Sequence, residues 1–205
     1  MEKRINDLIF RSKKQIAKID DKEKTLLLII DVQDKLMNTL FEKEKTIQNI
    51  SALIKAFKVY SMKIIATEQY PEGLGRSNEL ILKNVENIFP KRSFDGYTKE
   101  VEKYCKENEI TKILITGAET HICVFQTARR LLEEGYDVFI IEDGVTSFDK
   151  TNKNTGKGAL RDIGAQIINT EIALFEIANT SEDPHFKEIS KIVKENRSLL
   201  KKLPC

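Results

Sequence analysis

A run of apolar residues marks a strand covered on both faces, and this chain has one in Thr25–Ile30, unbroken from Leu26. A strand with one wet face would alternate polar and apolar residues instead. Further short apolar runs lie at 63–67, 112–116, 137–141 and 165–169, and helical patterns separate them. Ile47, Ile50, Ile54 and Phe57 form one helical stripe. Buried strands alternating with helices predict an α/β fold, a single-domain doubly wound parallel sheet with helices on both faces. At 205 residues there is room for one sizeable core. Residues 1–20 read as an amphipathic helix, with Ile5, Leu8, Ile9, Ile16 and Ile19 among Lys and Arg. We therefore divide the chain into an N-terminal helical arm, 1–23, and a domain over 24–205.

Composition removes several classes of function. The net charge of +2 comes from 34 basic and 32 acidic residues spread along the chain. No basic block interleaved with aromatics appears, so no nucleic-acid partner is expected. The longest apolar run is too short to span a membrane, and the charged start Met1-Glu2-Lys3-Arg4 is followed by no apolar signal core. The expectation is a cytoplasmic protein with no membrane partner. Cys105, Cys123 and Cys205 are odd in number and widely spaced, which is neither a disulfide framework nor a Cys-x-x-Cys metal site. His121 and His185 are the only histidines. No metal and no cofactor is expected.

In an open parallel sheet, ligands collect beyond the carboxyl ends of the strands. Asp31 follows the first strand directly; it is either part of such a site or a cap for the next segment. The second strand runs into a loop with one Pro and two Gly, Glu68 to Ser77. An extended piece, Phe89-Pro90-Lys91-Arg92-Ser93-Phe94, carries Lys91, whose commonest role would be plain surface charge. The strand at 112–116 passes through Gly117-Ala118-Glu119-Thr120 into a helical pattern from His121. Cys123 then stands in a first helical turn, where unpaired backbone N–H groups and the helix dipole bias a thiol toward thiolate. The alternative is a small buried hydrophobe, the usual role of a lone cysteine. Asp143-Gly144-Val145 reads as the loop after the strand at 137–141.

Taken in order, these pieces resemble the isochorismatase-like cysteine hydrolase superfamily, which includes nicotinamidases. The resemblance rests on Ile30-Asp31-Val32-Gln33, on Lys91 with Ser93-Phe94, and on Gly117-Ala118-Glu119-Thr120-His121-Ile122-Cys123-Val124. Gly135-Tyr136-Asp137-Val138 and Asp143-Gly144-Val145-Thr146-Ser147 extend it. Thr67 to Gly75 and the tail from Phe175 to Ile189 look like the isochorismatase-domain-containing branch.

The resemblance implies a Rossmann-like three-layer fold and an Asp–Lys–Cys triad at Asp31, Lys91 and Cys123. In such a triad Cys is the nucleophile, Asp moves the protons and Lys stabilises both anions. It also implies a cis peptide at Ala118–Glu119 and an oxyanion hole built from the N–H groups of Glu119 and Cys123. Nicotinamidases carry an Asp-x-His metal pair after the second strand; here Gln69 and Pro71 stand there. True isochorismatases lack the nucleophilic Cys. The implied protein is a metal-independent hydrolase of a small amide or related C–N acyl compound, working through a thioester. It would act as a homo-oligomer, dimer or tetramer. Its pocket would be walled by Leu36, Tyr70, Phe94 and Ile122, with Gln33 and Gln69 near the rim. The rival readings are a non-enzymatic binding or oligomerisation module with a vestigial pocket, and a noncovalent hydrolase of isochorismatase type.

Overall fold

Along Thr25–Ile30 (β1), successive side chains enter two different cores. Leu26, Leu28 and Ile30 pack on one face of the sheet and Leu27 and Ile29 on the other, all fully buried. The computed structural model describes residues 17–203. Its other strands are β2 Lys63–Gln69, β3 Asn87–Lys91, β4 Lys112–Ala118, β5 Asp137–Thr146 and β6 Gln166–Ile168. All pairings are parallel, in the order β3-β2-β1-β4-β5-β6.

The helices are α1 Asp34–Met37, α2 Lys43–Val59, α3 Pro71–Leu74, α4 Glu79–Asn84, α5 Lys99–Glu107, α6 Phe125–Glu133, α7 Lys150–Asp162, α8 Thr170–Ala178 and α9 Phe186–Leu200. Ile50, Leu53 and Phe57 of α2 cover one face, joined by Leu174 and Ile177 of α8 and Ile189 and Val193 of α9. Val101 and Cys105 of α5, Ala128 and Leu131 of α6 and Leu160 of α7 cover the other. This is the three-layer doubly wound sheet. Each fully buried Leu or Ile contributes about 1.5–3 kcal/mol of burial free energy, so the two cores dominate the favourable side.

Successive strands are added on one side of β1 up to β3 and on its other side from β4 onward, so the sheet has its switch point between β1 and β4. Gly117 makes the close approach possible. It pairs with Ile30 at φ +106°, and a Cβ on it would stand 1.9 Å from the Ile30 carbonyl oxygen.

Four local expectations change. The extended piece around Pro90 is a true strand, β3; it is the outermost strand of the sheet, where a missing N–H is tolerated. Residues 143–145 are not a loop: β5 continues to Thr146 after a register shift against Ile115 and Gly117. The last helix, which Asp183-Pro184 would open with Pro at an early helical position, opens at Phe186 instead. Residues 1–16, most of the expected arm, lie outside the described residues; at 17–20 the chain is irregular, with Ile19 buried in the core.

Candidate active site

Asp31 leaves β1 in the left-handed region, at φ +51°, with no exposed surface. Thr67, the polar residue near the end of β2, donates its hydroxyl to Oδ1 at 2.7 Å. Lys91 ends β3 and reaches across β2; its ammonium lies 2.7 Å from Asp31 Oδ2, with both side chains fully buried. The approach is a close ion pair rather than an aligned hydrogen bond, which leaves Oδ2 without a directed donor. Lys91 spends its other donors on Gln69 Oε1 at 2.6 Å and the Ser93 carbonyl at 3.2 Å.

Cys123 arrives from the third side. It is 6% exposed and sits in a π turn, Thr120–Val124, between β4 and α6. Ile122 N–H and Val124 N–H both donate to the Glu119 carbonyl, and the Thr127 hydroxyl donates to the Cys123 carbonyl. Gly156 of α7 packs against this turn; a Cβ there would come within 2.9 Å of the His121 nitrogen. The peptide bond between Ala118 and Glu119 is cis.

The thiol is not held as a thiolate. Burial pushes Cys123 up to about 12, the Asp31 carboxylate adds to the rise, and Lys91 only partly offsets it. The expectation from the helix start is thus reversed. Regular helix begins only at Phe125, and removing the site from water disfavours the anion by more than one ammonium restores. The resting thiol keeps its proton and has a carboxylate beside it to receive it.

The other expected residues sit around this centre in different ways. Gln33 is fully buried: Nε2 donates to the carbonyls of Gln69 and Gly75, and Oε1 accepts from Gln69 N–H. Its amide ties Gln69 to Gly75, the residues on either side of the segment that carries α3. Gln69, half-buried, donates Nε2 to the Arg92 carbonyl while its oxygen holds Lys91. Leu36 and Ile122 are half-buried, each packed against a different core. Tyr70 and Phe94 are exposed, and Arg92 stacks over the Tyr70 ring at 4.4 Å. Among the described residues no three His, Cys, Asp or Glu side chains converge as a metal set.

Sequence reasoning missed Thr67, Thr127 and the 146–148 segment. A polar residue closing an apolar strand was the available signal for Thr67. Phe148 gave none; it is 65% exposed, and its N–H donates to the Glu119 carboxylate.

Comparison with known proteins agrees with this architecture. The model of the isochorismatase domain matches residues 25–172. The secreted isochorismatase effector Isc1 of Phytophthora sojae (strain P6497) is 34% identical over 179 residues, which cover 84% of this chain and 85% of that protein. A structure described as the MAR1 ribonuclease from Caenorhabditis elegans superposes with a TM-score of 0.83 at 28% identity, over 87% of this chain and 93% of that one. YcaC of Escherichia coli, described as an octameric hydrolase of unknown specificity, shares the fold with a TM-score of 0.80 at 21% identity, over 92% and 97% of the two chains. The matched span runs from the first residue of β1 into α8 and carries all six strands with Asp31, Lys91 and Cys123, so the chain belongs to the isochorismatase domain family.

Proposed function

We propose that the protein is a cysteine hydrolase of a small amide or related C–N acyl compound, working without a metal through a thioester on Cys123. The observation that carries this reading is the buried convergence of Asp31, Lys91 and Cys123 at the switch point of the sheet. A carboxylate, an ammonium and a thiol removed from water cost several kcal/mol unless they compensate one another, and such arrangements cluster at functional sites.

The chemistry follows from the protonation states. Cys123 begins as a thiol, and Asp31 takes its proton as the sulfur attacks the planar carbonyl carbon. The carbonyl π pair moves onto oxygen, facing the N–H groups of Glu119 and Cys123. When the tetrahedral intermediate collapses, the C–N bond breaks and Asp31 returns the proton to the leaving amine. Asp31 then deprotonates a water that attacks the thioester, and the regenerated thiolate recovers that proton. The net change adds one water and yields an acid and an amine. Lys91, paired with Asp31 and beside the sulfur, compensates the negative charge that passes between them. Gln69 keeps Lys91 in line and has both ends of its amide engaged, which leaves the position that holds metal ligands in nicotinamidases occupied by a lysine clamp.

The same reading makes Tyr70, Phe94, Leu36 and Ile122 the walls for the acyl group and the protein a homo-oligomer. The fold neighbour YcaC is an octamer. The neighbour described as a ribonuclease makes an RNA strand a necessary control substrate. Lys91, the cation at the centre, already faces Asp31 and has no free charge for a phosphate.

The test is a panel of small primary and secondary amides plus an RNA oligonucleotide, quenched in acid and read by peptide mass spectrometry. The expected result is an acyl mass on the peptide carrying Cys123 and no turnover by Cys123→Ala. Turnover that survives Cys123→Ala would overturn the nucleophile assignment and favour the noncovalent hydrolase.

A further inference from the structure

Glu119 carries a side-chain contact that the triad chemistry does not use. Its carbonyl oxygen is the acceptor for Ile122 N–H at 3.0 Å and Val124 N–H at 3.1 Å, so its main chain supports the turn that holds Cys123. Its carboxylate points elsewhere: Oε2 accepts from Phe148 N–H at 2.7 Å. The next two residues bind the same segment. Thr120 Oγ1 donates to the Thr146 carbonyl at 2.9 Å, and His121 Nδ1 meets Ser147 Oγ at 3.1 Å. Glu119 and the first two residues of the nucleophile turn are thus tied to Thr146, the last residue of β5, and to the two residues after it.

That second segment is itself anchored. Phe41 N–H donates to the Ser147 carbonyl at 2.9 Å, and the Thr146 hydroxyl donates to the Phe41 carbonyl. Thr120, Thr146 and Ser147 have no exposed surface, so two of the three tethers end on fixed, dry groups. The Glu119 tether differs in two respects. It is charge-assisted, and so stronger than a neutral hydrogen bond. It also restrains the residue whose own N–H is the proposed oxyanion donor. A side chain fixed at its far end limits rotation about its Cα, and with it the direction of the N–H on the same residue.

We propose that Glu119 is a positioning residue: its carboxylate, tied to Phe148 N–H, keeps the Glu119 N–H aimed at the oxygen on which negative charge develops. This inference rests on the cysteine-hydrolase reading above. The aim of the N–H depends on the acceptor, with the charge adding only strength, so a glutamine, whose side-chain oxygen still accepts, keeps the tether and a leucine does not.

The experiment separates the oxyanion from the thiol. [1-13C]Acetaldehyde adds to Cys123 as a hemithioacetal: the sulfur attacks the carbonyl carbon, the π pair moves to oxygen, and that oxygen takes the thiol proton. Iodoacetamide alkylates the same sulfur by displacing iodide from a saturated carbon and needs no oxyanion donor. Removing an oxyanion donor costs about 100-fold or more, and misaiming one donor should cost about tenfold. The expected result is that Glu119→Leu weakens the acetaldehyde adduct, followed by 13C NMR, by about that tenfold factor. Its iodoacetamide rate should fall much less, and Glu119→Gln should restore the adduct.

Equal loss in Glu119→Gln and Glu119→Leu would assign the effect to charge and overturn the tether. A parallel loss of alkylation would show that the whole turn had moved, and a leucine variant that does not fold would make Glu119 a folding residue; either overturns the proposal. No adduct in the wild-type protein beyond a Cys123→Ala blank would sink the cysteine-hydrolase reading itself. A wild-type adduct that Glu119→Leu leaves at full strength would sink this proposal alone.

Discussion

The ammonium of Lys91 lies 2.7 Å from Asp31 Oδ2, two strands away across the sheet, and neither side chain has any exposed surface. Such a pair is costly to bury and more costly to break, because the survivor is left as an uncompensated buried charge. We predict that Lys91→Met lowers folding stability by about 3–5 kcal/mol in urea unfolding monitored by circular dichroism. Asp31→Asn should cost less, because Lys91 keeps the Gln69 oxygen and the Ser93 carbonyl as acceptors. Equal small losses from both would mean that the site is wetter than the packing indicates.

The nucleophile turn depends on the absence of one methyl group. A Cβ at Gly156 would stand 2.9 Å from the His121 nitrogen and 3.0 Å from its Cα, both main-chain atoms that move only with the turn. Gly156 lies within a regular helix, so alanine suits its local conformation. The main-chain overlap outweighs that helix preference, so Gly156→Ala should lower stability by about 1–3 kcal/mol, and a displacement of a few tenths of an ångström at Cys123 should lower kcat by about tenfold. Thermal melts beside steady-state rates check this. Full activity would place the reacting geometry outside the influence of α7.

The two buried thiols set the alkaline limit of the fold. Burial pushes both Cys105 and Cys123 from an ordinary 9.0 up to about 12. A group whose folded value is raised holds its proton more tightly when folded. Its contribution is complete below pH 9 and is lost as pH rises toward 12, at up to about 1.4 kcal/mol per pH unit for each thiol. Tyr97, Tyr104 and Tyr136, also raised by burial, steepen the fall above pH 10. Melting temperatures taken from pH 8 to 11.5 should drop across this window. Cys105→Ala should start lower from lost packing and fall less steeply.

The sequence made some levels of this structure legible and hid others. The run at β1 announced a strand buried on both faces, because burial on two sides favours apolar residues at successive positions, here Leu26 to Ile30. Asp31 was visible because it follows an apolar run directly, and Cys123 because the segment after the run at 112–116 turns into a helical pattern just before it. Strand order was not readable from periodicity, since pairing is decided by contacts far apart in the chain. The polar groups that finish the site were hidden for the same reason. Thr67, Gln69 and the Ser93 carbonyl meet Asp31 and Lys91 only after three strands align. Pro90 marked the piece around it as extended, and that piece could join the sheet because β3 is an edge strand. The thiol was misjudged because a helix start is visible in sequence while the loss of water around it is not.

The central claim is that Asp31 is the base that takes the Cys123 proton, and not a structural cap. The most direct measurement is the pH dependence of Cys123 alkylation by iodoacetamide, followed peptide by peptide in wild type and Asp31→Asn, with turnover measured on the same samples. Asp31 raises the thiol pKa by repulsion. Its removal should therefore lower that pKa and quicken alkylation near neutral pH, while turnover falls by about 100-fold or more for want of a base. An Asp31→Asn protein with an unchanged alkylation profile and undiminished turnover would contradict the account and leave the non-enzymatic module as the better one.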